Sequence, residues 1–308
     1  MRPIVTIIMA TYNRAHFIIE TLKSIQNQTF KDWECLIIDD GGTDNTQEVI
    51  TNFLEEDKRF QYLKRESNYQ KGLPGCRNYG LDLSKGDYII FFDDDDVVHP
   101  LNLELCAKEL VNNEVSFCRY DRNVFRNKFH YQFDLAKDYE TFFIGTIDLE
   151  AMLKNELPFN SCAVMWKKEC FNENRFVEHL MYAEEWELYS RILSTGIKGI
   201  SIKKDLFFGR KHDNSNTGEY YNNNPIRIES YKDAILLVVK NLNERQLLSK
   251  PILLYFINLS YNFKRYNLFH QILMNIDLSA FRKFKWRIFY FILPFKIFIS
   301  QLKKKYSS

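Results

Sequence analysis

Glycine and proline are scarce, 11 and 7 in 308 residues, which excludes collagen-like repeats and Gly/Pro-rich linkers. No repeat or low-complexity tract interrupts the chain. The six cysteines, Cys35, Cys76, Cys106, Cys118, Cys162 and Cys170, form no Cys-x-x-Cys pair, and most sit in apolar segments where a thiol acts as a small hydrophobe. That usage points to a reducing, cytosolic setting. The N-terminus lacks the charged, apolar and cleavage regions of a signal peptide, entering a strand pattern at Ile4-Val5-Thr6-Ile7-Ile8. No acidic residue follows Asp277, whereas Arg282, Lys283, Lys285, Arg287, Lys296, Lys303, Lys304 and Lys305 do; the overall charge of +2 therefore divides into about −6 for the body and about +8 for the tail. With an acidic body and basic residues confined to an apolar tail, nucleic acid is not an expected partner.

What is present suits a globular chain with a sizeable core: 45% of residues are hydrophobic. The first hundred residues alternate strand and helix signals. Ile4–Met9, Trp33–Ile38, Phe60–Leu63 and Tyr88–Phe92 read as strands, and Ala15–Gln28, Thr43–Leu54 and Gly75–Leu83 as helices. Such alternation builds a mostly parallel sheet covered by helices, with ligands beyond the carboxyl ends of the strands. Three segments fall there: Ala10–Arg14, Asp39–Asp44 and Asp93–Asp96. Further on, strands are expected near Val115–Tyr120 and Cys162–Trp166 and a helix near Ala183–Leu193, within a less regular region. From Ile226 the pattern is helical.

Asp93 to Asp96 are four consecutive aspartates after the apolar run Tyr88-Ile89-Ile90-Phe91-Phe92. Carboxylates at the end of a buried strand repel one another and are costly to desolvate unless a positive charge joins them. A divalent cation with hard oxygen ligands, Mg²⁺ or Mn²⁺, meets that need. The plainer reading is an acidic turn in which one Asp caps the helix starting near Pro100.

Taken in order, Thr6–Arg14, Ile37-Ile38-Asp39-Asp40-Gly41-Gly42-Thr43-Asp44-Asn45-Thr46, Gly75-Cys76-Arg77-Asn78 before Lys85-Gly86-Asp87-Tyr88, and Phe92-Asp93-Asp94-Asp95-Asp96 resemble a family 2 glycosyltransferase of GT-A fold. The resemblance covers roughly residues 3–215. It implies a Rossmann-like α/β domain over 1–215 and a helical C-terminal region over 216–308. In the family, the segment matching Ala10, Thr11, Tyr12, Asn13 and Arg14, together with Asp40, lines the donor nucleotide; a carboxylate can accept the N3–H of uracil and a Tyr ring can stack on it, favouring UDP. Asp40 can equally stabilise the turn before Gly41-Gly42. Arg77 is expected to face the donor's phosphates or ribose, or to pair with a surface acid. The pattern Asp-x-Asp-Asp aligns Asp93, Asp95 and Asp96, with Asp95 first for the metal, Asp93 toward ribose or metal and Asp96 assisting. Asp94, counted with the donor-binding residues, stands at the variable position and faces solvent or caps. His212, in Arg210-Lys211-His212-Asp213-Asn214-Ser215, is a candidate third metal ligand, with Arg210 or Lys211 on a phosphate, as the resemblance implies.

Glu184-Glu185-Trp186 resembles the family's Glu-Asp-Trp, which makes Glu185 the base that deprotonates the acceptor hydroxyl in an inverting displacement. Glu replaces the usual Asp there, as Ala10 replaces Pro and Gly42 replaces Ser; neither of the latter removes a required group. The alternative for Glu184, Glu185 and Glu187 is a solvated helix face.

The resemblance thus implies a metal-dependent hexosyl- or N-acetylhexosaminyltransferase acting from a UDP-sugar onto a glycan or polyprenyl-linked glycan, in bacterial surface polysaccharide synthesis. The tail from Phe284 to Ile299 is apolar, but only Ile288–Phe295 is free of charge, short of the ~20 residues that span a bilayer, and Pro294 interrupts it. Aromatic bulk flanked by Lys and Arg suits an interfacial helix on anionic lipid, hence a cytoplasmic protein peripheral on the inner face of the membrane; the alternative is a core-packing helix. The rival readings are a catalytically inactive sugar-nucleotide-binding or scaffolding relative, and a nucleotidyltransferase. The latter class expects a Gly-rich, Arg-containing loop where Ala10-Thr11-Tyr12-Asn13 stands.

Overall fold

The computed structural model describes residues 2–212, 216–263 and 266–306. The chain divides into two compact units, Met1–Ala234 and Ile235–Ser308. The domain boundary expected at 215 falls within 213–215, outside the described residues.

In the first unit the chain runs β1 (Val5–Thr11), α1 (Ile18–Gln26), β2 (Trp33–Asp39), α2 (Thr46–Glu56), β3 (Phe60–Lys64), α3 (Leu73–Leu83) and β4 (Tyr88–Asp93). β3, β2, β1 and β4 lie side by side in parallel. Side chains alternate across the pleat, so Cys35 and Ile37 join Ile18, Leu22 and Ile25 of α1 and Ile50 of α2 on one face. Leu36 and Ile38 pack against Cys76 and Tyr79 of α3 on the other. Gly80 lets α3 lie on β1: a Cβ there would stand 2.5 Å from Ile8 Cγ2. The register places Thr11 opposite Asp39 and Ala10 opposite Asp93, so β1, β2 and β4 end at one level and deliver their following loops to one place.

After β4 come β5 (Val97–Val98), α4 (Asn102–Asn112), β6 (Phe117–Phe125), β7 (Thr141–Ile144), α5 (Leu149–Leu153), β8 (Val164–Lys167), α6 (Glu184–Leu193) and β9 (Gly199–Arg210). β8 runs antiparallel to β4 and to β6, and β6 parallel to β9, so the sheet is parallel in its first half and mixed in its second. The 12-residue β9 was not expected from the sequence. It holds β5 antiparallel through Val97 and Phe208, and this pairing carries Arg210 to the aspartate run.

α7 (Asn216–Tyr221) and the start of α8 (Pro225–Glu244) complete the first unit. The second contains the rest of α8, α9 (Lys250–Asn262), α10 (Tyr266–Met274) and α11 (Ala280–Tyr306). Ser249 caps α9 by accepting the Ile252 N–H at 3.3 Å. Val238, Leu242, Phe256, Ile257, Phe269, Ile272 and Leu293 are buried. α11 runs as one helix through Pro294, and Phe281, Phe284, Ile288, Phe291, Ile292 and Phe295 on it are exposed. Among the described residues no helix is long and apolar enough to cross a membrane.

Candidate active site

A cavity of about 880 Å³ opens at the carboxyl ends of β1, β2 and β4. Its wall includes Ala10, Thr11, Tyr12, Asn13, Arg14, Asp40, all four aspartates from Asp93 to Asp96, and His212. All the residues expected to bind nucleotide or metal therefore meet there, apart from Arg77.

At one end, Asn13 adopts the left-handed region (φ 55°), which Asn tolerates better than most residues. Its Oδ1 accepts the N–H groups of Thr43 at 2.7 Å and Asp44 at 3.1 Å, tying the loop after β1 to the loop after β2. Asp39 accepts the Gly42 N–H at 2.9 Å, and a Cβ at Gly42 would approach that same oxygen to 3.0 Å, so the small residue suits the turn. Asp39 is thus the turn stabiliser, while Asp40 is aimed by others: Arg65 Nε donates to it at 2.6 Å and the Gly72 N–H at 3.2 Å. Tyr12 is exposed, with the Lys71 ammonium 4.8 Å from its ring centre. Arg65 and Lys71 belong to none of the motifs in the sequence; an isolated cation carries no local signal.

The aspartate run forms the other end. None of the four caps a helix, because β5 intervenes and α4 begins at Asn102. Asp94, expected at the surface, is only 6% exposed. Its oxygen lies 3.3 Å from Arg14 Nε, and Arg14 Nη2 lies 4.0 Å from Asp95. Burial pushes Asp94 up to about 7 against the pull of Arg14. Burial, with Asp95 and Asp93 nearby, likewise raises Asp96 well above the usual carboxylate range. Asp96 accepts the Arg210 N–H at 2.6 Å, and Asp95 meets His212 Nε2 at 2.7 Å. Asp93 pairs with Arg77 at 3.3 Å and accepts the Cys162 thiol at 3.1 Å. Ligand atoms of Asp93, Asp96 and Cys162 all lie within 4.8 Å of one another. Cys162 was not foreseen as part of the site: its place in an apolar segment disguises it.

These residues fit a divalent cation. Three buried carboxylates held near one another, with burial raising Asp94 and Asp96 above the usual carboxylate range, show a deficit of positive charge that an ion would fill. Carboxylate oxygens and one imidazole suit Mn²⁺ or Mg²⁺, while Cys162 is kept as a thiol because burial drives its pKa up.

Arg77 is neither in the cavity wall nor at the surface. It is 2% exposed and spans from Asp93 to Glu184, 3.3 Å from each, with Phe91 and Phe176 under its guanidinium. Both acids raise its pKa further. Glu184 and Glu187 are not a solvated face either. Glu184 is buried and lines the cavity, and burial followed by its neighbour Glu185 pushes it up to about 8 while Arg77 opposes. Glu187 is buried in an ion pair with Arg191, at 2.8 Å. Glu185, on the first turn of α6, is half-buried and lies outside the cavity's lining residues. Ala183 before it takes the left-handed region (φ 62°), setting this turn's entry.

Arg210 lines the cavity but is committed: its Nε donates to the Asp95 carbonyl at 2.7 Å, its Nη2 pairs with Glu20, and Phe17 and Phe125 flank its guanidinium. Lys211 and Arg122 also line the wall. Burial, then the nearby Arg122, lowers the Lys211 pKa. Asp213, Asn214 and Ser215 of the same loop lie outside the described residues.

The family model for "Glycosyl transferase family 2" matches residues 6–173, more than half of the chain. The chain belongs to this family. An uncharacterised glycosyltransferase from Rickettsia felis is 30% identical over 213 residues, covering 69% of this chain and 34% of that protein, so the chain matches about a third of that relative's length. The UDP-Glc:alpha-D-GlcNAc-diphosphoundecaprenol beta-1,3-glucosyltransferase WfgD of Escherichia coli is 35% identical over 124 residues, covering 40% of this chain and 47% of WfgD. Among solved structures, TarS 1-349 of S. aureus in complex with UDP-GlcNAc shares the fold of this family 2 chain, with a TM-score of 0.68 at 17% identity, covering 89% of this chain and 79% of TarS 1-349. The GT-A fold expected from the sequence is thereby confirmed, with its second half a mixed sheet.

Proposed function

We propose that this family 2 chain transfers a hexosyl or N-acetylhexosaminyl group from a UDP-sugar to a hydroxyl of a glycan or lipid-linked glycan, with inversion, in bacterial surface polysaccharide synthesis. The observation that carries this reading is the two-ended cavity: Asp40, braced by Arg65 and beside Tyr12, at one end, and the buried aspartates at the other. The Asp40 carboxylate would accept the N3–H of uracil while the Tyr12 ring stacks on the base. Asp93, Asp95 and Asp96, with His212, would hold Mn²⁺ or Mg²⁺, which supplies charge neutralisation for the diphosphate as it leaves. Glu185 would take the proton from the acceptor hydroxyl, a role worth about 10²–10⁴-fold. Glu184, being committed to Arg77, positions that turn. The acceptor class follows WfgD, whose name specifies a diphosphoundecaprenol-linked sugar. A lipid-linked acceptor would place the protein on the cytoplasmic face of the membrane, with the exposed apolar stripe of α11 and the basic residues around it on anionic lipid.

Thermal unfolding with UDP, GDP, CDP or TDP, each with Mn²⁺ or EDTA, tests this reading. Ligand at 100 times its dissociation constant adds about 2.7 kcal/mol. A shift for UDP that requires Mn²⁺ is expected. A shift for another nucleotide would overturn the uracil assignment at Asp40, and none for any would favour the inactive scaffolding reading.

A further inference from the structure

Part of the cavity wall is left over once the nucleotide and metal contacts are assigned: Met181, Asn216, Thr217, Glu219 and Arg227. These residues come from the chain before α6, from α7 and from the start of α8, all beyond residue 173, where the family match ends. The helices grip residues 181 and 182 in three ways. Arg227 Nη1 donates to the Met181 carbonyl. Ser230 accepts the Tyr182 N–H at 2.8 Å, and its hydroxyl donates to the Tyr182 carbonyl at 2.8 Å. The Tyr220 ring stacks on Tyr182, with centroids 4.5 Å apart and planes 9° apart. Ala183 and the turn carrying Glu184 and Glu185 follow at once, so the same short stretch holds this wall and the proposed base. Within the wall, Arg227 Nε donates to Glu219 Oε2 at 2.8 Å and its Nη2 to Asn216 Oδ1 at 2.8 Å. Asn216 and Glu219, three residues apart on α7, share a face, and one guanidinium orients both. The only other contact of the carboxylate is Asn224 Nδ2, again on Oε2, at 3.5 Å. Glu219 Oε1 and the Thr217 hydroxyl have no partner among the described residues. A carboxylate at the centre of the wall repels phosphate. It suits adjacent hydroxyls, which donate to its open oxygen while an amide and a second hydroxyl engage the rest of the ring and Met181 adds an apolar edge.

We propose that Glu219, with Asn216 and Thr217, forms a subsite for the sugar ring of the acceptor, holding it by adjacent hydroxyls, with Arg227 as the residue that orients the carboxylate. Assigning the ring to the acceptor rests on the proposed sugar transfer, because the wall shares its anchor with the turn that bears Glu185. That the wall takes a pyranose does not rest on it.

The test uses the full chain, as wild type, Glu219→Gln and Thr217→Val, in saturation-transfer NMR titrations with the methyl glycosides of glucose, galactose, mannose, GlcNAc and GalNAc, with and without UDP and Mn²⁺. Thr217 is exposed and Val matches its shape, so Thr217→Val decides alone if Glu219→Gln fails to fold. At least one glycoside is expected to bind wild type, to bind Glu219→Gln about tenfold more weakly, and to lose affinity for Thr217→Val as well, with UDP affinity unchanged throughout. No glycoside binding by wild type, or binding that the folded variants leave unchanged, overturns the proposal. Variants that lose affinity for UDP-Glc or UDP-GlcNAc but not for UDP would show that the wall reads the donor's sugar, which overturns the assignment to the acceptor. If glycoside binding depends on Glu219 while UDP with Mn²⁺ leaves the unfolding midpoint unmoved, the transferase reading fails and the sugar subsite stands.

Discussion

Replacing Asp94 by Asn is expected to stabilise the metal-free protein above neutral pH. The native carboxyl titrates at about 7 instead of the ordinary 3.8, because burial opposes its charge more than Arg14 favours it. A carboxyl whose folded value is raised holds its proton longer in the fold than in the unfolded chain. The associated stability is complete below about 4 and is lost as pH climbs through 7. The difference of roughly 3 units, at ~1.4 kcal/mol each, gives about 4 kcal/mol that an uncharged isostere would not lose. Asn keeps the size and hydrogen-bonding reach, and Arg14 retains Asp95 at 4.0 Å. For a unit of this length about 2 °C accompanies each kcal/mol, so the midpoint should rise by about 8 °C. Calorimetric scans of both proteins in EDTA at pH 4.5, 6 and 8 would show a gap that is small at the acid end and grows with pH. A variant less stable than wild type at pH 8, or a gap that ignores pH, would refute the burial argument.

Other consequences are open to direct measurement. Glu185→Gln should cut transfer by about 10²–10⁴-fold and leave the UDP-induced shift intact; loss of UDP binding as well would put Glu185 in the structure instead of the chemistry. Arg65→Ala releases Asp40 from its brace and should weaken UDP about tenfold in equilibrium titration, with Arg65→Lys recovering part; an unchanged dissociation constant would free Asp40 of any role for Arg65. Sedimentation with anionic vesicles at low salt should pull down the full chain and not a chain ending at Asp277, with release as salt rises; equal behaviour of the two would favour a helix that only packs.

The parallel half of the sheet was legible because its information is local. Apolar runs at 33–38, broken only by Glu34, and at 88–92, with a helical pattern at 75–83, emerge as β2, β4 and α3 with ends shifted by a residue or two. β9 was hidden because Lys203, Lys204 and Asp205 break its apolar run, and its identity comes from partners on both sides, β6 with β7 and β5. The same division holds within the site. The residues on the three strand-end loops could be placed from motif order alone, yet the burial of Asp94 and Arg77 depends on what the fold lays over them. Nothing in a single Arg65 distinguishes it from the other basic residues until Asp40 is beside it.

Arg77 has a consequence for altering the specificity proposed for this chain. One desolvated guanidinium is shared by the half-exposed Asp93 of the nucleotide end and the buried Glu184 of the turn that bears the proposed base. Removing one partner throws the whole charge onto the other, so substitutions at the two ends will be strongly non-additive. Donor and acceptor preference in such a chain would therefore be coupled, and a variant that removes both acids, leaving the buried guanidinium unpaired, should fail where each single change survives.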